Sequence, residues 1–101
     1  MTAPVPLAVF GAGLVGLRHC ALVAENDDAR LAAVIEPDPE AADRAAERGH
    51  PVFLTPQEAA DAAPDIAGAI VATPNATHGA AAEDAAARGW ALLVEKPISG
   101  T

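Results

Sequence analysis

Val5-Pro6-Leu7-Ala8-Val9-Phe10-Gly11-Ala12-Gly13-Leu14-Val15-Gly16 starts as an apolar strand, turns on glycines and leaves as a helix. From Leu14 onward the apolar spacing is helical. Gly16, Cys20, Val23 and Ala24 fall at i, i+4, i+7 and i+8 on the expected buried face, and Arg18 and Glu25 share the solvent stripe. Gly11-Ala12-Gly13-Leu14-Val15-Gly16 has the GxGxxG spacing of a dinucleotide turn. In that reading Gly11 permits the tight turn and Gly13 lets the backbone approach a pyrophosphate. Any positive φ at Gly13 would exclude larger residues as well. Gly16 lets the helix pack against the strand. The unpaired amides and partial positive charge of the helix start, from Ala12 through Leu14 and Val15, would hold the anion.

A glycine turn alone is weak evidence. Here an acid, Glu36, stands twenty residues beyond Gly16, where a dinucleotide site needs a carboxylate for the ribose hydroxyls. Taken singly, Glu36 also reads as a solvated loop acid, and Asp38 reads better as a helix cap than as a ribose ligand. Methyltransferases place S-adenosylmethionine on a similar turn and acid, so these residues alone leave two ligand classes open.

Outward from the turn, strand and helix signals alternate. Leu31–Ile35 is a second strand closed by Glu36-Pro37; Asp38 caps a helix with Pro39 at its first position, and Gly49 stops it. Residues 51–54 read as a short third strand. Thr55-Pro56-Gln57-Glu58 is a capping box opening a brief helix that ends before Pro64. Residues 67–71 form a fourth strand, Thr73-Pro74-Asn75 a loop, residues 76–88 a helix stopped by Gly89, and Ala91–Val94 a fifth strand. The pattern predicts an α/β fold: a doubly wound parallel sheet of the Rossmann kind, strand order 3-2-1-4-5.

Composition narrows the function. Of 101 residues 27 are alanine, which suits helices lying close on a sheet. Aromatic anchors are limited to Phe10, Phe53 and Trp90. A net charge of −8 argues against nucleic-acid or anionic-membrane partners. Cys20, the single cysteine, allows no internal disulfide and no cysteine-cluster metal site, and it reads as buried and inert. No metal site is expected. With neither a signal peptide nor an apolar run of about 18 residues, a cytoplasmic protein is expected.

Two segments carry the reading further: Ala72-Thr73-Pro74-Asn75-Ala76-Thr77-His78 after the fourth strand and Glu95-Lys96-Pro97 after the fifth. Both follow strands at their carboxyl ends, the ligand edge of open parallel sheets. With the glycine turn, in this order and spacing, they resemble the glucose–fructose oxidoreductase and inositol dehydrogenase family. The resemblance implies an NAD(P)-dependent oxidoreductase moving hydride between nicotinamide and an alcohol or carbonyl, such as a sugar or polyol. It assigns Lys96, the only lysine, to proton transfer beside the nicotinamide. Thr73, Pro74, Asn75 and His78 would contact the cofactor, while Glu95 and Pro97 shape the same wall. His78 also reads as packing beside Ala81, Ala82 and Ala85. His19 and His50 carry no site signal, and His19 reads as helix-face packing beside Arg18.

NAD is expected over NADP, because no arginine or serine follows Glu36 to receive a 2′-phosphate. The resemblance further implies that residues 1–101 are an incomplete dinucleotide-binding domain, lacking a sixth strand and the C-terminal α/β domain with the substrate pocket. The chain alone is therefore expected to be inactive, its small-molecule substrate to be held by that second domain, and a homo-oligomer to form. A non-catalytic nucleotide-binding or regulatory module is the alternative, which Lys96 disfavours. A short-chain dehydrogenase is excluded, since it needs a catalytic tyrosine and the chain has none. The methyltransferase reading has no use for Glu-Lys-Pro.

Overall fold

The computed structural model describes the backbone of residues 4–73 and 75–94, and their side chains except those of residues 14, 75–78, 93 and 94. Nine elements alternate along it: β1 (Val5–Phe10), α1 (Leu14–Glu25), β2 (Ala29–Ile35), α2 (Pro39–Glu47), β3 (Val52–Phe53), α3 (Pro56–Ala62), β4 (Gly68–Val71), α4 (Asn75–Ala87) and β5 (Ala91–Val94). The sheet is parallel throughout, in the order β3-β2-β1-β4-β5. The expected Rossmann order is thus the observed one, and the chain reverses its direction of travel between β1 and β4.

Strand alternation divides the core into two layers. Val9, Val34 and Ile70 face α1 and α2, meeting Leu17, Cys20, Val23, Ala41 and Ala45. Ala8, Phe10, Ile35, Ala69 and Val71 face the other way, onto Ala59 of α3, Ala85 of α4 and Trp90. Alanine supplies the helix side at α2, α3 and α4, which lets those helices lie close to the sheet, whereas α1 packs through Leu17, Cys20 and Val23. Trp90 packs into this layer, its ring 6.1 Å from that of Phe10, with the Arg88 guanidinium over the Trp90 ring.

The local signals explain most element ends. Asp38 accepts a hydrogen bond from the Ala41 amide and Thr55 from the Glu58 amide, each with proline in the first turn that follows. The capping box departs from its usual form: Glu58 reaches the Leu54 amide, one residue before the cap. Gly49 and Gly89 stop their helices at positive φ. The second strand begins two residues earlier than the pattern suggests because Ala29 and Arg30 pair with Val5 and Pro6. The third strand shrinks to Val52–Phe53, since Leu54 is drawn off to Glu58. On α1 the buried set is Gly16, Leu17, Cys20 and Val23; Ala24 is exposed, contrary to the periodicity.

Candidate dinucleotide site

The carboxyl ends of β3, β2, β1 and β4 are stitched together by backbone bonds that continue past the strands. The Gly11 amide donates to the Ile35 carbonyl at 2.9 Å, the Ala72 amide to Phe10 at 2.8 Å, and the Glu36 amide to Phe53 at 2.9 Å. One edge of the sheet therefore gathers the glycine turn, Glu36 and the loop beginning at Ala72. A shallow cavity of about 460 Å³ lies at the opposite end, among Pro4, Asn26, Arg30 and His50, and shares no residue with this edge.

The three glycines of the turn have three different reasons to be glycine. Gly11 has φ +104°, and a Cβ there would stand 2.9 Å from the Ala72 carbonyl oxygen. Gly16 is fixed by packing: its Cβ would lie 2.0 Å from the Gly11 carbonyl oxygen. Its close approach is thus to the turn itself rather than to the strand. Gly13 differs from both. Its φ is −72°, not the positive value considered above, and a Cβ there would meet nothing within 4 Å. Nothing in the described chain requires glycine at this position.

Beside that open space α1 begins without a side-chain cap, Gly13 itself being the cap residue. Its first amides, in the stretch Leu14-Val15-Gly16, have no partner within the helix, because helical bonding starts only with the Leu17 amide donating to Gly13 at 2.8 Å. The contrast with α2 and α3 is direct, since both of those helices carry an oxygen cap. An uncapped helix start below an open glycine suits an anion.

Glu36 completes this side of the edge. Its Oε1 accepts the Ala12 amide at 2.7 Å, and its Oε2 accepts the Asp38 amide at 3.1 Å. The half-buried carboxylate thus sits against the glycine turn rather than in a solvated loop. Asp38 caps α2 as expected. A carboxylate offers about four acceptor positions, so two remain beyond these amides.

On the β4 side, Thr73 is half-buried, and its amide nitrogen would be 3.3 Å from a Cβ on Gly11. The structure therefore brings Thr73 to the glycine turn. Asn75 begins α4, one residue earlier than the pattern suggests, and His78 lies in its first turn. Pro74, Glu95, Lys96 and Pro97 lie outside the described residues, as do the side chains of Leu14, Asn75 and His78. The strand that precedes Glu95 ends with Val94 level with Val71, on the same edge as the turn. Sequence reasoning did not find the Glu36–Ala12 bond, for which residue spacing carries no separate signal.

Cys20 is fully buried, and burial pushes its thiol up to about 11, against smaller opposing effects of a backbone hydrogen bond and the charge of Arg48. Among the described residues no three His, Cys, Asp or Glu side chains are grouped to hold a metal, and no helix is long and apolar enough to cross a membrane.

Residues 5–101 match the model of a family described as an oxidoreductase family with an NAD-binding Rossmann fold. Inositol 2-dehydrogenase of Rhizobium meliloti (strain 1021) is 37% identical over 94 residues, covering 93% of this chain and 28% of that protein. Among solved structures, GenD2 from gentamicin A biosynthesis, in complex with NAD, aligns with a TM-score of 0.83 and 32% identity over 97% of this chain and 28% of its own. A myo-inositol dehydrogenase from Corynebacterium glutamicum aligns with a TM-score of 0.78 and 38% identity over 94% of this chain and 28% of its own. The chain thus spans under a third of the length of these relatives.

Proposed function

Since the chain belongs to the oxidoreductase family with the NAD-binding Rossmann fold, we propose that it forms the cofactor-binding portion of an NAD-dependent dehydrogenase acting on a sugar or polyol. The observation that carries the reading is the empty space over Gly13 beside an uncapped helix start. A glycine with no conformational or packing reason of its own fits a position kept clear for a pyrophosphate. In this reading Gly13, Leu14, Val15 and Gly16 cradle that group, Gly11 and Ala12 shape the turn, and Glu36 receives the adenosine ribose. Thr73, Pro74, Asn75 and His78 flank the nicotinamide half. The bound nicotinamide supplies hydride acceptance, and Lys96, between Glu95 and Pro97, takes or returns the proton of the reacting hydroxyl.

In this reading residues 1–101 serve cofactor binding, and the substrate is held by other residues of the enzyme. The inositol 2-dehydrogenase likeness supports a polyol. A small-molecule rather than nucleic-acid partner accords with the net charge of −8. Self-association belongs to the same reading: β5 is an edge strand of the described sheet, and Ala91–Val94 has no charge or proline to discourage pairing. Titration calorimetry of the chain with NAD tests the core of the proposal. Saturable binding that Gly13→Val removes is the expected result, and absence of NAD binding to a folded chain would refute it.

A further inference from the structure

Both oxygens of the Glu36 carboxylate hold backbone amides, and the two amides belong to different loops. Ala12 is in the glycine turn and is fully buried, while Asp38 opens α2. The Glu36 backbone is itself fixed to β3 through Phe53. We propose that Glu36 is a positioning residue, bracing the glycine turn in its anion-receiving shape before any ligand arrives. This rests on the reading of the turn as a pyrophosphate cradle, but it is separate from a role in holding ribose. The Gly11 amide is taken by Ile35 and the Ala12 amide by Glu36, so the turn meets β2 through two successive bonds. The amides that follow, at the start of α1, have no partner within the helix, whose bonding begins with Leu17. Without the carboxylate the buried Ala12 amide loses its acceptor, and the turn has to move to find another.

The brace separates from ribose binding in an adenosine diphosphate that lacks both ribose hydroxyls on the adenosine side. A residue that only holds ribose cannot affect 2′,3′-dideoxy-ADP. A residue that shapes the cradle affects it as much as ADP. Glu36→Ala and Glu36→Gln both remove the negative charge, so repulsion of the diphosphate changes equally in the two variants. Only the glutamine keeps an oxygen for the Ala12 amide.

The test uses the 101-residue chain in two arms. In the ligand-free protein, nuclear magnetic resonance should show the Ala12 amide exchanging about tenfold faster or more in Glu36→Ala than in Glu36→Gln. Its proton resonance should move in the alanine variant while those of the remote strands stay in place. Calorimetry should then show dideoxy-ADP bound about tenfold more weakly by Glu36→Ala than by Glu36→Gln. Equal Ala12 exchange in the two variants, or equal dideoxy-ADP affinity, would overturn the brace. If the unsubstituted chain binds neither NAD nor ADP, the pyrophosphate reading fails, and the amide arm alone decides whether Glu36 holds the turn.

Discussion

Gly16 sits so close to Gly11 that a Cβ on the former would stand 2.0 Å from the carbonyl oxygen of the latter. Both sides of that contact are backbone, so no side chain can swing away to relieve it. Gly16→Ala should therefore force α1 off the turn, disturbing the layer that Leu17 and Cys20 build beneath it. The expected cost is about 3 kcal/mol or more, lowering Tm by roughly 15 °C. Thermal unfolding followed by circular dichroism checks this. A Tm unchanged within a few degrees would mean that the helix start accommodates a methyl group.

Gly13 should behave in the opposite way. Its backbone is open to any residue, so Gly13→Ala removes chain entropy from the unfolded state while replacing a good cap residue with a poor one. These effects oppose each other, leaving a net change within about 1 kcal/mol. Affinity for NAD should nevertheless fall, by about tenfold or more for alanine and beyond detection for valine, because the new side chain occupies the approach to the pyrophosphate. Melting curves and cofactor titrations on the same samples separate the two quantities. Retained affinity in a folded Gly13→Val would show that the open space is not a ligand's.

The turn could be read from sequence because its spacing is tied to chemistry, and the caps at Asp38 and Thr55 because a single side chain makes each of them. The phase of α1 was harder to read. Val15 and Leu22 are about half exposed, so apolar residues lie on both sides of the helix and periodicity cannot choose between Leu17 and Ala24 for the core. The start of β2 was hidden by Arg30, a charge that suggests a loop, yet its side chain pairs with Asp65 outside the sheet. The reason for each glycine was legible only in part. Gly11 and Gly16 answer to neighbours that are distant or folded back, and the absence of any neighbour at Gly13 is a property of three-dimensional space. The Glu36–Ala12 bond spans 24 residues and depends on β1 lying beside β2.

Cofactor choice follows from the same carboxylate. In the proposed reading Glu36 stands where the 2′-phosphate of NADP would be received, and both its oxygens already hold backbone amides of the turn and the start of α2. At about 4 Å, carboxylate and phosphate repel by roughly 1 to 4 kcal/mol per charge pair, depending on screening. NAD should therefore bind at least about fivefold more tightly than NADP, and Glu36→Ala should narrow that gap. Paired calorimetric titrations decide the matter, and equal or tighter NADP binding would contradict it.

Lys96 is expected to matter for chemistry more than for affinity. A lysine beside an oxidised, positively charged nicotinamide has its ammonium form disfavoured, which suits a base that takes an alcohol proton. In a longer polypeptide carrying this domain with a substrate pocket, Lys96→Ala should lower turnover by about 100-fold or more. The dissociation constant for NAD should barely change. Steady-state kinetics beside cofactor titration would expose a merely positional lysine, for which turnover would survive.

Cys20 offers a test of the core that is independent of any ligand. Burial between α1 and the sheet raises its thiol from 9.0 to about 11, so at pH 8 the native thiolate fraction is about a hundredfold smaller than in the unfolded chain. Alkylation by iodoacetamide should be slower by at least that factor in the native protein, and denaturant should restore it. The same shift sets a pH dependence. Between pH 9 and 11 the unfolded chain has released the proton that the folded chain still holds, so stability is intact below about 9 and declines as pH rises toward 11. The chain has no tyrosine and a single lysine, so few other groups titrate in that window. Cys20→Ala should flatten the alkaline decline in urea midpoint while lowering stability modestly at pH 7. A decline of equal depth in the alanine variant would place its origin elsewhere.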